Sequence, residues 1–398
     1  MVENNDYTSS THSGTNRLTS RRKFLMSAGA LSAVGLAGCS GNTGDNVGSG
    51  AGVSPEDIDL SEINPDGPIG KGPTGTEPQS PSTLEMSDGQ VSAVREEEMT
   101  VSVVFQYLKS DWVRLVRRGL QSKFVNLEID VEGVYGVDFE ASKQVDLLET
   151  LASKADQLDA VIIYPVDPDA AVDPIRKLRS EDVEVVIITN TPPDLEHGED
   201  FAGMVTVDNY GLGLVSARLM QKMVGEGKVG MIEMEPQLYV IDERERAFKD
   251  VLSDNDDIEL VTNSFNDASE TFDLTQNMLT ANPDMAGLWS PWATPPANEA
   301  VAAIDDSAGD GIVHTTVDLN QQQAEIMASE GPTQGIGVGG PFIIGENLVK
   351  MAAHASLGND TPAYVSIGAS AVIRPNLLEM YEETLQEDPP EAVTQHFE

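Results

Sequence analysis

Residues 100–127 read TVSVVFQYLKSDWVRLVRRGLQSKFVNL, and two periodicities meet in that stretch. The run 101–105 is of strand length and almost wholly apolar, so it has no face suited to water. Seven residues later the period changes: Trp112, Leu115, Val116, Gly119, Leu120, Phe124 and Leu127 follow the i, i+3, i+4, i+7 spacing of an amphipathic helix. The same alternation continues downstream. Apolar strand-length runs recur at 160–164, 183–188, 204–207, 229–232, 286–289 and 312–317. Helical patterns fall between them, at Val145, Leu148, Leu151 and Ala152 and again at Leu274, Met278 and Leu279. Apolar strands alternating with helices predict parallel sheets covered on both faces, an α/β class. About 290 residues of this texture exceed one core and predict two domains. The change of character at Asp208-Asn209-Tyr210-Gly211 marks a crossing point between them.

The amino end has a different logic. Arg17, Arg21, Arg22 and Lys23 form a basic segment, and residues 25–37 an apolar run too short for the roughly 20 residues that span a bilayer. This order reads as a cleavable signal occupying residues 1–38. Ser20-Arg21-Arg22-Lys23-Phe24-Leu25 matches a twin-arginine export signal, an address for proteins exported already folded. Leu36-Ala37-Gly38-Cys39 is similar to a lipobox, which makes Cys39 the expected lipid-modified first residue of the mature chain. Cys39 is the sole cysteine, so an intrachain disulfide framework is excluded. A lipobox lipid carries at least two acyl chains, enough for stable attachment outside the cytoplasmic membrane. Residues 39–98, rich in Gly, Ser, Pro, Asn and Asp, have no aromatic residue and are expected to form a disordered tether.

Twenty-four basic residues against 66 acidic ones give a net charge of −42. The acids are dispersed along the chain rather than gathered in a block. That distribution suits a surface kept hydrated at high salt, where a Debye length of about 3 Å at 1 M removes self-repulsion. No basic patch exists to neutralise phosphates, so nucleic acid is excluded as a partner.

Enzyme signatures are absent: there is no G-x-S-x-G, no H-E-x-x-H and no P-loop. Gly225-x-Gly227-x-x-Gly230 ends a helix and enters a strand, the reverse of the dinucleotide-binding order. Gly335-x-Gly337-x-x-Gly340 precedes Pro341, a good first helical residue, but has no acidic partner on a following strand. Its glycines read better as places of close backbone approach. Asp254, Asp256 and Asp257 lack the glycine and terminal glutamate of a calcium loop. No metal, cofactor or catalytic residue is expected. Recognition of a small polar molecule remains. A sugar needs flat aromatics for its C–H faces and planar bidentate groups for its hydroxyls, placed where strand carboxyl ends meet loops. Gln106, Ser110 and Trp112 follow the 101–105 run, Tyr164 and Asp167 the 160–164 run, and Asn190 the 183–188 run. Trp292 follows the 286–289 run and Asp318 the 312–317 run, and all three tryptophans (Trp112, Trp289, Trp292) fall at or beside such ends. Arg244 and Arg246 read either as helix ion pairs or as groups reaching into a cleft.

From about Met99 to Tyr381 the chain resembles the type I periplasmic sugar-binding proteins, the ribose- and galactose-binding group. The resemblance is carried in order by Thr100-Val101-Ser102-Val103-Val104-Phe105, Ile163-Tyr164-Pro165-Val166-Asp167-Pro168-Asp169-Ala170, Val207-Asp208-Asn209-Tyr210-Gly211, Glu243-Arg244-Glu245-Arg246-Ala247-Phe248 and Met278-Leu279-Thr280-Ala281-Asn282-Pro283-Asp284. It implies two doubly wound parallel-sheet lobes joined by a three-crossing hinge near residues 209, 339 and 368. The amino-terminal lobe would comprise 99–209 and 340–368, and the carboxy-terminal lobe 210–339 and 369–385, followed by an acidic tail at 386–398. Arg244 falls on the family's ligand-gripping arginine, Phe265 on its stacking aromatic and Asp318 on its hydroxyl acceptor. Asn190-Thr191, Gly339 and Pro291-Trp292 replace polar residues of the ribose pattern, so a ribose specificity is not implied. The resemblance implies a monomeric, non-enzymatic receptor delivering a monosaccharide or similar polyol to an ABC transporter permease. The alternatives are a nucleoside, autoinducer or other small polar ligand on the same fold, or a surface-anchored carboxylate-dependent glycosidase.

Overall fold

The computed structural model describes residues 52–235, 238–307 and 311–397. Arg21, Arg22 and Cys39 lie outside the described residues, as do residues 39–51 of the expected tether. Twelve strands are described: β1 (Thr100–Phe105), β2 (Asp130–Gly136), β3 (Ala160–Ile163), β4 (Glu184–Ile188), β5 (Gly203–Val207), β6 (Gly227–Met234), β7 (Ile258–Phe265), β8 (Met285–Ser290), β9 (Val313–Val317), β10 (Thr333–Val338), β11 (Tyr364–Ile367) and β12 (Ser370–Val372). They form two six-stranded sheets, in the orders β2-β1-β3-β4-β5-β11 and β7-β6-β8-β9-β10-β12. The two orders correspond strand for strand. Neighbours are parallel throughout, except β12, which is antiparallel to β10. Among the described residues no helix is long and apolar enough to cross a membrane.

The inner strands are apolar on both sides because helices cover both. Val101, Val103 and Phe105 of β1 pack with Val116, Leu120 and Phe124 of the Asp111–Leu127 helix and Ile344 and Leu348 of the Pro341–Ser356 helix. Val104, between them in sequence, faces the other way, into a core with Leu148, Ile175 and Leu178. The Asp111–Leu127 and Pro341–Ser356 helices cross closely. A Cβ at Gly119 would lie 1.9 Å from the Phe342 carbonyl oxygen, and one at Gly345 2.1 Å from that of Val116. Gly337 serves a similar purpose in the second sheet, where a Cβ would meet the Leu212 carbonyl oxygen at 2.4 Å. The Gly335–Gly340 motif is thus a packing device between β10 and the Asn209–Val224 helix.

The chain passes between the sheets three times: after β5, after β10, and between β11 and β12. The residues before β1 correct the expected tether. From residue 52 onward they are folded onto the two lobes. Ile63, Leu84 and Val94 are buried in the same core as β1, and the Asp88–Glu96 helix begins with a capping box between Ser87 and Gln90. Gln79 adds to the edge of β11, its N–H donating to Tyr364 O (2.9 Å) and its carbonyl accepting from Ser366 N (3.0 Å). A segment poor in apolar residues orders here because three well-spaced aliphatic anchors and an exposed sheet edge offset its entropy.

His314 lies fully buried in β9, with its ring nitrogens hydrogen-bonded to Ser290 Oγ (3.0 Å) and Thr333 Oγ1 (2.8 Å). Burial lowers its pKa from 6.5 to about 3. The unfolded chain takes up this proton below about pH 6.5 while the folded chain refuses it. The stabilisation is therefore complete above that pH and is lost as pH falls toward 3. Urea denaturation of His314→Gln is expected to show a shallower loss of stability between pH 6.5 and 4 than the wild-type chain. Identical slopes would remove the assignment.

Candidate functional site

A cleft opens where the carboxyl ends of the two sheets approach each other, the position at which open α/β sheets bind ligands. It contains two adjoining cavities of about 230 and 380 Å³ that share Ser110, Trp112 and Asp318. The amino-terminal lobe supplies one wall of the smaller cavity from the residues after its strands. Gln106 and Tyr107 follow β1, Tyr164 follows β3, Thr189 follows β4, and Thr206 and Val207 end β5. Gln106 donates to the Pro165 carbonyl through Nε2. Ser110 caps the Asp111–Leu127 helix, its Oγ accepting from Val113 N at 3.2 Å, which leaves the hydroxyl proton available to a ligand. Trp112 lies against Tyr164 with ring centroids 5.8 Å apart, and Tyr107 stacks on Phe139 at 5.4 Å. Burial pushes the Tyr164 phenol up to about 12, so it stays a neutral donor.

The carboxy-terminal lobe contributes the charges. Arg244, on the Tyr239–Ser253 helix, is buried and bonded on several sides. Its Nε donates to Asn209 Oδ1 (3.1 Å), and its Nη1 to Pro291 O (3.2 Å) and Asp318 Oδ2 (3.1 Å). Asn209 stands at the first crossing, so this guanidinium ties the hinge to the ends of β8 and β9. Asp318 has a φ of 69°, a left-handed turn directly after β9 that brings its carboxylate beside Arg244. Trp292 lines the larger cavity. Its Nε1 donates to Thr294 O at 2.9 Å, and its ring meets Phe265 edge-on at 5.7 Å. Thr294 Oγ1 in turn accepts from Asn320 at 2.6 Å. Among the described residues, Arg244 and Asp318 are the only charged ones lining the smaller cavity, and they pair with each other.

Of the residues singled out from sequence, Gln106, Ser110, Trp112, Tyr164, Arg244, Trp292 and Asp318 share this cleft. Three do not line it. Asp167 is an N-cap, its carboxylate accepting from Asp169 N and Ala170 N, so helix initiation accounts for it. Asn190 is displaced by Thr189, whose φ of 64° turns the chain so that Thr189 itself lines the cavity. Phe265 is 1% exposed and braces Trp292 from behind. Trp289 is also a core residue, fully buried and stacked on Phe248. Sequence reading missed Tyr107, Phe139, Thr206 and Asn320 as lining residues. Phe139 follows β2, which has no buried residue and hence no apolar signature to locate its end. Among the described residues, no group of three His, Cys, Asp or Glu side chains is arranged to hold a metal ion.

Residues 101–360 match the family model described as periplasmic binding protein domain. Comparison with curated protein sequences gives no match. Among solved structures, the sugar-binding protein of a sugar ABC transporter from Bacillus halodurans is 20% identical, with a TM-score of 0.62 over 70% of this chain and 98% of that one. A periplasmic solute-binding protein of an ABC transporter from Actinobacillus succinogenes, with bound D-allose, gives 19% and 0.62 over 70% and 99%. A solute-binding protein from Bacillus halodurans with bound myo-inositol gives 20% and 0.63 over 72% and 97%. These likenesses establish the shared two-lobed fold, and with the family match over most of the globular region the chain belongs to the periplasmic binding proteins, with the type I arrangement of lobes.

Proposed function

We propose that this protein is an extracytoplasmic solute-binding receptor of an ABC importer, which closes its lobes around a monosaccharide or similar polyol and presents it to a membrane permease. One observation carries the choice of ligand. The smaller cavity holds one guanidinium and one carboxylate that neutralise each other, within a lining of aromatic rings, hydroxyls and amides. A net anion or cation would find no uncompensated partner there. An uncharged ring with many hydroxyls fits both halves of the lining: rings for C–H faces, polar groups for oxygens. The D-allose and myo-inositol carried by two proteins of the same fold have that chemistry. Binding without turnover is part of this reading, supported by the Asp318 carboxylate of the smaller cavity being held by Arg244. Export through Arg21 and Arg22, lipid attachment at Cys39, a monomeric state and a surface suited to high salt complete the reading, supported by the sequence features alone.

A thermal-shift screen in high salt tests it, using pentoses, hexoses, inositols and nucleosides. A true ligand at 100 times its dissociation constant adds about 2.7 kcal/mol of stability and raises the melting temperature. A shift confined to nucleosides would replace the sugar with a base-bearing ligand. No shift with any small molecule would overturn the receptor reading.

A further inference from the structure

The hinge carries a connection beyond its three crossings. Residues 52–98 begin on the carboxy-terminal lobe, where Val53 N donates to Lys222 O (2.9 Å), Glu62 pairs with Lys222 (2.7 Å) and Ile63 O accepts from Arg218 (2.9 Å). Asn64 Oδ1 then accepts from Ala371 N, in β12, at 2.8 Å. Next the segment runs over the hinge. Ile69 N and Gly70 N both donate to the buried carboxylate of Asp208, at 2.6 and 3.0 Å, and Tyr239 donates to Lys71 O. Beyond a turn at 72–76, Gln79 joins β11 of the other sheet, and Glu85 pairs with Lys350 (2.6 Å) on the amino-terminal lobe. The segment therefore meets the third crossing at both of its ends, Asn64 beside Ala371 and Gln79 beside Val365, while holding Asp208 at the first.

We propose that residues 52–98 act as a belt, a fourth lobe-to-lobe connection that limits hinge opening and so sets the balance of open and closed forms. The reason is geometric. Both ends are fixed to different lobes, and the middle is fixed to Asp208, the residue that also caps the Asn209–Val224 helix at the first crossing (Gly211 N to Asp208 Oδ1, 2.8 Å). Any rotation of the lobes about 208 and 368 must stretch or release the span between Lys71 and Gln79. The inference is independent of which ligand the cleft takes.

Cutting the belt after folding tests this without asking a variant to fold. The turn at Thr74 and Gly75 is exposed, and Gly75 adopts a φ of 77° with open space around it. A specific protease site inserted there, in a full-length chain carrying Cys39→Ser, is the tool. Spin labels at Asp156→Cys and Asp256→Cys, exposed positions on opposite lobes, report lobe separation by pulsed electron paramagnetic resonance without ligand. Cleavage is expected to move the distance distribution to longer separations and broaden it, with circular dichroism unchanged. An unchanged distribution would overturn the proposal. So would loss of the folded signal on cutting, which would make the segment a staple of the fold rather than a limit on the hinge.

Discussion

Arg244→Ala is expected to weaken binding of the best ligand in the sugar screen by about 100-fold. Hydrogen bonds from a charged donor contribute about 1.5–3 kcal/mol each, and every 1.4 kcal/mol is tenfold. The effect should exceed the loss of one contact, because the guanidinium also holds Asp318 and Asn209 in place. Removing it leaves the Asp318 carboxylate in the cleft without the cation that orients it and offsets its charge. Arg244→Lys keeps the charge but loses the planar fork, so it should fall between the two. Isothermal titration calorimetry in high salt is the measurement. Wild-type affinity in Arg244→Ala would place the ligand elsewhere.

The second large effect is on stability. Trp289→Ala is expected to cost about 3–5 kcal/mol, the range for truncating a large buried aromatic. The side chain is wholly buried, stacks on Phe248 at 4.7 Å, and donates from Nε1 to Ser216 Oγ at 2.9 Å. Folded domains have only about 5–15 kcal/mol in total, so about a fifth or more would go. Guanidinium denaturation should show the drop, while affinity measured well below the melting point stays near wild type. A stability loss under about 1 kcal/mol, or a selective loss of affinity, would return Trp289 to the binding face.

That contrast shows what sequence can convey about such a chain. The inner strands other than β10 were legible because burial on both faces leaves runs such as 101–105 without a polar side, whereas Thr333, Gln334 and two glycines break up β10. The edge strands β2 and β7 were not, since one side of each meets water and most of their residues are polar or partly exposed. Matching strand orders in the two lobes left no visible repeat, because topology constrains the pattern of burial and not the identity of residues. Strand ends alone located Gln106, Ser110, Trp112, Tyr164, Trp292 and Asp318, about a quarter of the residues lining the two cavities. The misplaced residues each turn on something a sequence does not display: a carboxylate used as a helix cap at Asp167, a left-handed residue at Thr189 that displaces Asn190, a brace at Phe265 behind Trp292. Residues 52–98 are the same case on a larger scale, their few aliphatic anchors meaning little until the surface that receives them is known.

That folded segment also bears on how far the head could stand from a membrane if Cys39 carries the proposed lipid. With a lipid on Cys39 and a head starting near residue 99, a leash of some sixty residues would let the cleft sample a wide volume. With the chain folded from residue 52, an anchor at Cys39 would leave only thirteen residues between lipid and lobe, a contour of at most about 45 Å. The described chain starts on the carboxy-terminal lobe, where Val53 bonds to Lys222, so an anchor at Cys39 would pull on that lobe first. Capture and delivery would then take place within one molecular diameter of the membrane, by rotation in place rather than by excursion.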